Sequence, residues 1–471
     1  MRAAHYNERV PTDRFLDTIA AIATPPGASG IGIVRMTGPE AFAIADAVFR
    51  PAAGGAPPSG QASFSTRYGH VVDGAEVIDE VLLTVMRAPR TYTTQDVVEI
   101  NCHGGAIPLR RTLERVLRQG ARPADPGEFT KRAFRFGRLD LAQAEAVADL
   151  IAAQTEASQR AALGQLNGGL SLRLREFRDR LMELAAHLEA SIDFGEDGLS
   201  LLTRDALRAG LGGLAEDMRA LLASAEGGRA LREGVRAVIV GRPNVGKSSL
   251  MNALLREDRV IVTPHPGTTR DVVEETVNLG GFPVTLADTA GLREPADEVE
   301  QAGVSRTRRW MDCADLVFLV LDGSEPLGAE DRGLLAELPP RRLVVLVNKA
   351  DLPQHVCAHD IPLPPGSPLV HVSALTGEGL EALEEAVARL VWGGSAAAET
   401  EVVLTNVRHR HAVERALTAL HHCLARADAG LPDEILAEDL REALEALGEI
   451  TGDTTREDVI NDIFARFCVG K

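Results

Sequence analysis

The sequence has no long apolar run, and its amino terminus has no apolar core. The longest apolar stretches, such as residues 316–321, are far shorter than the roughly 18 residues that a membrane-spanning helix needs. Residues 1–15 contain no segment of the kind that forms the centre of a secretory signal peptide. We therefore expect a cytoplasmic protein that does not enter a membrane.

Cysteine is scarce and scattered. The five cysteines are Cys102, Cys313, Cys357, Cys423 and Cys468, and no two of them form a Cys-x-x-Cys pair. This spacing argues against a disulfide framework and against a zinc site. It favours a reducing compartment, in agreement with a cytoplasmic location.

Basic and aromatic residues are also in short supply. Lys and Arg number 50 against 68 Asp and Glu, which gives a formal net charge of −18. A protein that binds nucleic acid over its whole surface is normally basic. Aromatic residues make up only 4% of the chain, and they do not alternate with basic runs as a base-stacking surface would require. Any contact with RNA must therefore use a local patch or a basic partner.

The length and the hydrophobic pattern predict several domains. At about 150 residues per domain, 471 residues correspond to roughly three domains. Residues 1–136 alternate strand-like runs at 31–34, 81–86 and 97–100 with turns and one short helix at 109–117. This pattern predicts an N-terminal α+β domain.

Two separated regions, 137–232 and 394–471, carry the period of amphipathic helices. The apolar positions that mark this period are Leu207, Leu211, Leu214, Met218, Leu221, Leu222, Leu436, Leu440, Leu444, Leu447 and Ile450. Between these regions, residues 233–393 contain strand-like apolar runs at 235–240, 283–287, 316–320, 343–347 and 369–372. Apolar strands that alternate with helical segments indicate a mostly parallel sheet covered on both faces. We expect an α/β domain inserted into one helical domain whose two halves pack together.

A glycine-rich loop directly follows the first of these strands and opens a helical segment. It reads Gly241-Arg-Pro-Asn-Val-Gly246-Lys247-Ser248, the pattern of a phosphate-binding loop in the required context. The glycines let backbone N–H groups surround a phosphate, and the helix N-terminus favours negative charge. Lys247 is expected to neutralise phosphate charge, and Ser248 to bind Mg²⁺.

Three further segments follow in the order typical of Ras-like GTPase domains. Asp288 opens Asp-Thr-Ala-Gly at a strand end, where it can reach Mg²⁺ through water. Asp351, in Asn-Lys-Ala-Asp, can accept from two guanine donors that adenine does not offer, and residues 373–375 can close over the base. The predicted GTP-binding residues are Asn244, Val245, Gly246, Lys247, Ser248, Ser249, Thr263, Gly267, Thr268, Thr269, Asp288, Thr289, Ala290, Gly291, Asn348, Lys349, Asp351, Ser373, Ala374 and Leu375.

Two positions near the predicted phosphates are unusual. Leu292 stands where Ras-like proteins carry a water-positioning glutamine, so hydrolysis must use another group. The amide oxygen of Asn244 could help to hold a monovalent cation that neutralises transition-state charge. A hydrogen bond that only shapes the loop is the alternative for Asn244, and the residue type does not decide between the two.

Distinctive segments are spread over nearly the full length of the chain. They are DTIAAIATPPG (17–27), GIGIVR (30–35), DVVEINCHGG (96–105), PGEFTKRAF (126–134), RLDLAQAEAVADLI (138–151), IDFGED (192–197), GRPNVGKSSLMNALL (241–255), PGTTRD (266–271), DTAGLRE (288–294) and the terminal FCVGK (467–471). Together they make the chain resemble the MnmE (TrmE) family of tRNA modification GTPases.

The resemblance implies a homodimer made of an N-terminal domain that dimerises and binds tetrahydrofolate, a discontinuous helical domain and an inserted GTPase domain. It implies an FAD-dependent MnmG-type partner, with which the dimer forms a heterotetramer, and tRNA as substrate. The pair would add a carboxymethylaminomethyl or aminomethyl group to C5 of the wobble uridine, using 5-formyl- or 5,10-methylene-tetrahydrofolate. GTP hydrolysis would require potassium and dimerisation of the GTPase domains.

The resemblance also implies the cation ligands. Potassium would lie near Asn244, Thr263, His265 and Thr268, and Mg²⁺ would bind Ser248 and Thr269. Between Thr263 and Gly267 this chain reads Pro-His-Pro, where the family usually has Asp-Ile-Ala. The two prolines fix φ and remove N–H donors from this segment.

The predicted catalytic residues are Glu300, Cys468 and Lys247, the last from the phosphate-loop motif. Glu300 matches the glutamate that orients the hydrolytic water; by its context alone it would be a solvated helix charge. Arg270 could act as an arginine finger, but a structural ion pair is the preferred interpretation. Cys468 is a candidate nucleophile or redox-sensitive thiol, with simple packing beside Phe467 as the alternative.

The folate ligands implied are Arg35, Glu99, Arg138 and Lys471. A glutamate can accept hydrogen bonds from the amino and N3 groups of a pterin, and cations suit a glutamyl tail or a formyl oxygen. The alternative function for the whole chain is a regulatory GTPase switch in ribosome assembly. The sequence shows neither the KH-like pattern nor the second phosphate loop that such proteins carry, which favours the enzyme.

Overall fold

The computed structural model describes residues 15–193, 203–255, 274–287, 314–338, 342–393 and 402–470. The chain forms two compact units. The first contains residues 1–148 and 448–471, and the second contains residues 149–447. Within the described ranges, no helix is both long enough and apolar enough to cross a membrane.

The first unit is built on a seven-stranded sheet. Its strands are β1 (Ile19–Ile22), β2 (Ser29–Thr37), β3 (Phe49–Pro51), β4 (Ser65–Asp73), β5 (Glu76–Met86), β6 (Val97–Gly104) and β7 (Arg122–Pro123). They lie in the order β3-β4-β5-β6-β2-β1-β7, and every neighbouring pair is antiparallel except β1 and β7. The three predicted strands fall within β2, β5 and β6, so the predicted N-terminal α+β domain is confirmed.

Helices of the first unit pack in two groups. Helices α1 (Ala41–Val48) and α2 (Ala106–Arg118) share an apolar core with alternate residues of the strands. A second core joins α3 (Glu128–Arg135) to the start of α4 (Leu141–Ala152) and to α14 (Glu457–Ala465). Phe467 packs into this second core, which places the carboxyl-terminal segment against α3.

The second unit contains a helical region and an α/β region. Its helices after α4 are α5 (Glu156–Leu166), α6 (Gly169–Asp193), α7 (Arg204–Ala223), α8 (Ala225–Glu233), α9 (Lys247–Leu254), α10 (Ala329–Glu337), α11 (Leu380–Val391), α12 (Val407–Asp428) and most of α13 (Asp433–Thr451). The predicted apolar face of α7 is buried except for Leu222, which is partly exposed. Gln165 of α5 donates through Nε2 to the Val403 carbonyl at 2.8 Å, so residues from before and after the α/β region pack together, as predicted.

The α/β region is a six-stranded sheet. Its strands are β8 (Val235–Val240), β9 (Glu274–Leu279), β10 (Phe282–Ala287), β11 (Leu316–Asp322), β12 (Leu343–Asn348) and β13 (Leu369–His371). They lie in the order β13-β12-β11-β8-β10-β9, all parallel to their neighbours except β9. The predicted parallel strands are confirmed. Strand β9 was not predicted because its sequence, Glu-Glu-Thr-Val-Asn-Leu, lacks a continuous apolar run.

Both faces of this sheet are covered. Alternate residues of β8 enter two different cores: Ala237 and Ile239 pack with α8, α9 and α11, whereas Val238 and Val240 pack with α10. Every residue of β11 and β12 is buried. Strands buried on both faces are apolar throughout, which is why their sequences show no alternation. The polar residues that end these strands therefore stand at the carboxyl edge of the sheet.

Candidate functional site

The glycine-rich loop connects β8 to α9 at the carboxyl edge of the six-stranded sheet. Gly246 precedes α9 with a φ of 98°, and a Cβ there would lie 2.2 Å from Nδ2 of Asn348. A Cβ on Gly241, whose φ is 150°, would lie 2.4 Å from the Val320 carbonyl oxygen. Only glycine fits both positions, because each combines a positive φ with a close approach of neighbouring atoms.

Polar groups of the loop gather at the start of α9. Lys247 donates through Nζ to the carbonyl oxygens of Gly241 and Arg242, at 2.8 and 2.7 Å. Asn244 adopts a left-handed φ of 66° and is exposed, as are Ser248 and Ser249. The Lys247 ammonium, the Ser248 and Ser249 hydroxyls and the N-terminus of α9 thus lie together. This arrangement is favourable for binding a phosphate and its cation.

One buried carboxylate holds the loop from the side. Arg242 donates through Nε to Oδ1 of Asp331 at 2.7 Å, and Asp331 also accepts from the Gly328 N–H at 2.9 Å. Burial alone would lower the pKa of Arg242, but the hydrogen bond to Asp331 and the negative charges of Asp331, Glu325 and Glu330 together outweigh it and raise the pKa. Arg242 therefore stays charged and fixes the outer part of the loop.

Asn348, at the end of β12, links the loop to the following segments. Its Nδ2 donates to the Val245 carbonyl at 2.8 Å, and its Oδ1 accepts from the Ala374 N–H at 3.0 Å. Both contacts are buried. The Asn348 side chain thus holds the phosphate loop beside the segment predicted to close over the base.

Lys349 and Asp351 point to different partners. Lys349 has a left-handed φ of 64° and pairs with Asp322 at the end of β11. Burial alone would raise the pKa of Asp322, but hydrogen bonds from Lys349 and Ser324 lower it below its ordinary value. Asp351 is exposed, and its Oδ1 accepts from the Ser373 hydroxyl at 2.5 Å. A fixed, exposed carboxylate is suited to bind two donors of a planar base.

The structure brings together most of the predicted nucleotide residues that it describes. Leu375 follows Ser373 and Ala374 and is 78% exposed, an unusual state for leucine unless it contacts a ligand or a partner. Eleven predicted residues lie outside the described ranges: Thr263, His265, Gly267, Thr268, Thr269, Asp288, Thr289, Ala290, Gly291, Glu300 and Lys471. Arg270 and Leu292 also lie there.

A second candidate site lies in the first unit. Arg35 of β2 and Glu99 of β6 are paired in register, and the Arg35 Nε donates to the Glu99 Oε1 at 2.8 Å. Arg35 also donates through Nη1 to the Gly470 carbonyl at 3.2 Å. Residue 470 precedes Lys471, so the structure joins two predicted folate ligands to the end of the chain.

Arg138 adjoins the same region through Tyr92. Its guanidinium lies over the Tyr92 ring at 4.7 Å from the centroid and donates to the Tyr92 carbonyl at 3.3 Å. Burial raises the pKa of Tyr92, although a hydrogen bond with Thr130 and the charges of Arg138 and Arg35 oppose the shift. The Tyr92 hydroxyl forms a hydrogen bond with Thr130 of α3 at 2.9 Å, and Arg35 lies over the ring of the adjacent Phe129 at 5.8 Å from its centroid, so Arg35 and Arg138 both lie near α3.

Cys468 occupies the segment between Phe467 and Gly470. Its backbone carbonyl accepts from the Gly127 N–H at 3.3 Å, while its thiol is free and exposed. Phe467 supplies the packing of this segment. The thiol of Cys468 is therefore accessible to a reagent or substrate.

Several residues that shape the two sites were not predicted. Asp322 and Tyr92 hold the predicted site residues Lys349 and Arg138 in place, and Asp331 holds Arg242 of the phosphate loop. Asp322 did leave a signal, since it is the polar residue that ends an otherwise apolar strand. Asp331 and Tyr92 left none, because their partners Arg242 and Arg138 are distant in sequence.

Comparisons with known proteins agree with this architecture. The model of the MnmE helical domain matches residues 141–468, and that of the GTP-binding protein TrmE N-terminus matches residues 18–138. The tRNA modification GTPase MnmE of Heliobacterium modesticaldum is 50% identical over 464 residues, which cover 97% of this chain and 99% of the relative. The proteins of the same name from Symbiobacterium thermophilum and Geobacillus kaustophilus are 50% and 48% identical, with the same two coverages. With half of its residues shared over nearly its full length, the chain belongs to the MnmE family of tRNA modification GTPases.

Proposed function

We propose that this protein hydrolyses GTP and uses that reaction in the modification of tRNA. The observation that carries the proposal is the Asn348 side chain, which joins the phosphate loop to the base-proximal segment through Val245 and Ala374. Phosphate-binding and base-binding groups thereby occupy one edge of one sheet. Membership of the MnmE family supports tRNA as the substrate of the whole enzyme.

In the nucleotide site, the backbone of residues 241–246 and Lys247 hold the phosphates, and Asp351 accepts from guanine. Ser248 is exposed at the start of α9, where it would bind Mg²⁺ together with Thr269. When bound, Mg²⁺ neutralises charge on the phosphate oxygens. Asn244, Thr263, His265 and Thr268 would hold potassium, and Glu300 would orient the hydrolytic water.

Guanine recognition is tested by Asp351→Asn. The amide presents an N–H group where guanine also presents donors, so affinity for GTP should fall by at least about tenfold. Xanthosine triphosphate, which offers an acceptor there, should now bind better than GTP. Binding is measured with fluorescent analogues on the full chain. Glu337→Gln, which removes an exposed carboxylate of α10, should bind GTP normally, and an unchanged GTP preference in Asp351→Asn would contradict the assignment.

Potassium dependence is tested by the hydrolysis rate in potassium and in sodium salts. The wild-type rate should be much higher in potassium, and Asn244→Ala should lose this difference while still binding GTP. Equal rates in both salts for the wild type would remove Asn244 from the cation site. Glu300→Ala should slow hydrolysis without weakening GTP binding.

In the first unit, Arg35, Glu99, Arg138 and Lys471 would hold a tetrahydrofolate. The Arg35 and Glu99 side chains are 19% and 20% exposed, so each is reachable although they are paired. A carboxylate suits the donors of a pterin, and the guanidinium groups suit a formyl oxygen or a glutamyl tail. When bound, the folate supplies the one-carbon unit. Calorimetry with 5-formyltetrahydrofolate should show binding in the wild type and none in Glu99→Gln, with GTP affinity unchanged in both.

The complete reaction would need a second subunit of the same chain and an FAD-dependent MnmG-type partner, which together modify C5 of the wobble uridine. Deletion of the gene should remove the carboxymethylaminomethyl or aminomethyl nucleoside from total tRNA, as measured by mass spectrometry. Unchanged tRNA nucleosides together with no folate binding would instead favour the regulatory switch in ribosome assembly.

A further inference from the structure

A short turn between β12 and β13 groups three side chains of different ligand type. Cys357, His359 and Asp360 each offer a ligand atom, and these atoms lie within 4.8 Å of one another. All three residues are exposed, so an ion can reach them from solvent. Across the described ranges, this is the one such group of histidine, cysteine and acidic residues.

Backbone contacts shape the turn. Residues 358–360 form a single 3₁₀ turn, closed by a hydrogen bond from the Asp360 N–H to the Cys357 carbonyl at 2.9 Å. The Cys357 N–H donates to Oδ2 of Asp360 at 3.3 Å. The other carboxylate oxygen, Oδ1, lies 3.4 Å from Nε2 of His359. One oxygen of Asp360 therefore holds the turn, and the other faces the imidazole.

Apolar residues anchor the turn on both sides. Val356 and Ile361 are each only 5% exposed and pack into the core beneath β11 and β12. The N–H of His355 donates to the Gly323 carbonyl at 2.7 Å. The backbone that carries the three ligands is therefore fixed immediately before Cys357 and immediately after Asp360. Such preorganisation lowers the entropic cost of binding an ion.

The ligand types select the metal. A thiolate, an imidazole and a carboxylate together suit Zn²⁺, whereas Mg²⁺ and Ca²⁺ prefer oxygen ligands alone. Zn–N and Zn–O bonds of about 2.0–2.2 Å at tetrahedral angles place the two ligand atoms roughly 3.3–3.5 Å apart. The observed distance between His359 Nε2 and Asp360 Oδ1 is 3.4 Å. We propose that Cys357, His359 and Asp360 form a Zn²⁺ site, with water in the fourth position.

This site is separate from the cation sites proposed for the phosphate loop. It lies on the loop that follows Asp351, and Gln354 of that loop donates to the Lys349 and Leu352 carbonyls, both at 2.9 Å. An ion at the turn would therefore stiffen the segment that carries the base-recognition residues. The site was not predicted from the sequence, because its ligands lie within one turn and include a single cysteine and no Cys-x-x-Cys pair.

The test uses the full-length protein, freed of metal with a chelator and assayed without nucleotide. Competition against a chromophoric chelator should show one Zn²⁺ bound per chain. Co²⁺ in place of Zn²⁺ should give the charge-transfer absorption of a metal–thiolate bond, and Cys357→Ser should abolish it. Loss of an outer contact already weakens metal sites about 10–100-fold, so His359→Ala should raise the Zn²⁺ dissociation constant at least about tenfold.

Asp360→Asn separates metal binding from folding of the turn. Asparagine can still accept from the Cys357 N–H, so the turn should persist while the charged ligand is lost and Zn²⁺ affinity falls. Cys468→Ser removes the other free, exposed thiol of the described chain and should bind Zn²⁺ as the wild type does. An undiminished Zn²⁺ affinity in Cys357→Ser, or no thiolate band in the wild type, would overturn the proposal.

Alkylation gives an independent readout. Burial raises the pKa of Cys102 and of Cys423 to about 12, so these two thiols should react slowly. Zn²⁺ should protect Cys357 from iodoacetamide but leave Cys468 reactive, as measured on peptides by mass spectrometry, and Mg²⁺ should protect neither. Equal modification of Cys357 with and without Zn²⁺ would contradict the site.

Discussion

The two units of the molecule differ in the side chains that hold their central elements together. In the first unit, Arg132 is fully buried and donates through Nη2 to Asp17 at 2.6 Å and to Glu128 at 2.9 Å. Arg122 donates to the same two carboxylates. These four charges join the chain just before β1 to α3. The first unit therefore has ionised side chains in its interior, whereas the central strands β11 and β12 of the second unit are almost entirely apolar.

The central strands of the second unit are apolar up to their last residue. Strands β11 and β12 are buried throughout and end in Asp322 and Asn348, which serve the candidate nucleotide site. The phosphate loop itself is shaped by backbone geometry at Gly241 and Gly246. In contrast, the candidate folate site consists of side chains from separate strands, Arg35 and Glu99. The comparison predicts that the stability of the first unit depends on the charges of these side chains. GTP binding by the second unit should depend instead on the backbone conformation of the phosphate loop.

The largest effect is expected from Arg132→Met. The substitution keeps an apolar stem but leaves Asp17 and Glu128 without their buried partner, and breaking a buried pair in this way typically costs about 3–5 kcal/mol. Hydrogen exchange in β1 and α3, read by mass spectrometry, should rise strongly while β11 and β12 stay protected. Denaturant unfolding should show an earlier transition for the first unit.

Arg160→Met is the matched control for Arg132→Met. Arg160 forms an exposed ion pair with Glu156 one helical turn away, and such pairs contribute little because water screens them. Its loss should leave both transitions in place. Equal destabilisation by the two substitutions would show that the buried network does not hold the first unit together.

Gly246→Ala tests whether GTP binding depends on the left-handed backbone conformation at the phosphate loop. A left-handed conformation costs an L-residue about 1–3 kcal/mol, and the new methyl group would meet Asn348. Since about 1.4 kcal/mol corresponds to a tenfold change, GTP affinity should fall roughly 10–100-fold. Gly333→Ala, on α10 with no atom within 4 Å of the added Cβ, should bind GTP normally. Normal GTP binding by Gly246→Ala would mean that the loop can change shape freely.

As the pH falls, the stability of the first unit should decrease more steeply than that of the second unit. Burial alone would raise the pKa values of Asp17 and Glu128, but hydrogen bonds from Arg122 and Arg132 lower both below their ordinary values. Carboxyls with a lowered folded pKa stabilise the protein above their unfolded values, near 3.9 and 4.3. That stability is lost as the pH falls through the folded pKa values.

Unfolding of the first unit should therefore begin below about pH 4, as followed by hydrogen exchange in β1 and α3. The double variant Asp17→Asn, Glu128→Gln should be less stable at neutral pH but show a flatter pH dependence in this range. A first unit that keeps its wild-type acid response in that variant would assign the response to other carboxyls.

The same contrast explains what the sequence could predict. Residues 241–248 form a site from contiguous chain, so the motif alone located it, and the apolar runs of β11 and β12 predicted buried parallel strands. The Arg35–Glu99 pair spans two strands and was reached only through a family resemblance. The network around Arg132 was not predicted at all, because Glu128 and Arg132, four residues apart in α3, look like an ordinary surface pair, and the third member, Asp17, comes from a distant segment.

The smallest effect is expected where one neutral hydrogen bond joins two parts of the second unit. Thr155 begins α5; its Oγ1 accepts from the Ser158 N–H at 3.1 Å and donates to the Gly281 carbonyl, between β9 and β10, at 2.7 Å. Thr155→Val keeps the shape but removes the hydroxyl. Loss of a helix-capping side chain costs about 1 kcal/mol, so the second unfolding transition should shift slightly and exchange should rise in the β9–β10 hairpin.

Thr155→Ser retains the hydroxyl and should restore protection of that hairpin, which separates the hydrogen bond from the loss of a methyl group. The loss of stability in Thr155→Val can then be compared directly with that in Arg132→Met. Both substitutions remove polar contacts of a buried residue but keep most of its volume. A loss in Thr155→Val as large as that in Arg132→Met would contradict the contrast, since a neutral cap would then stabilise its unit as much as the charged network around Arg132 does. A small loss, reversed by serine, would show that the second unit relies mainly on its apolar strands.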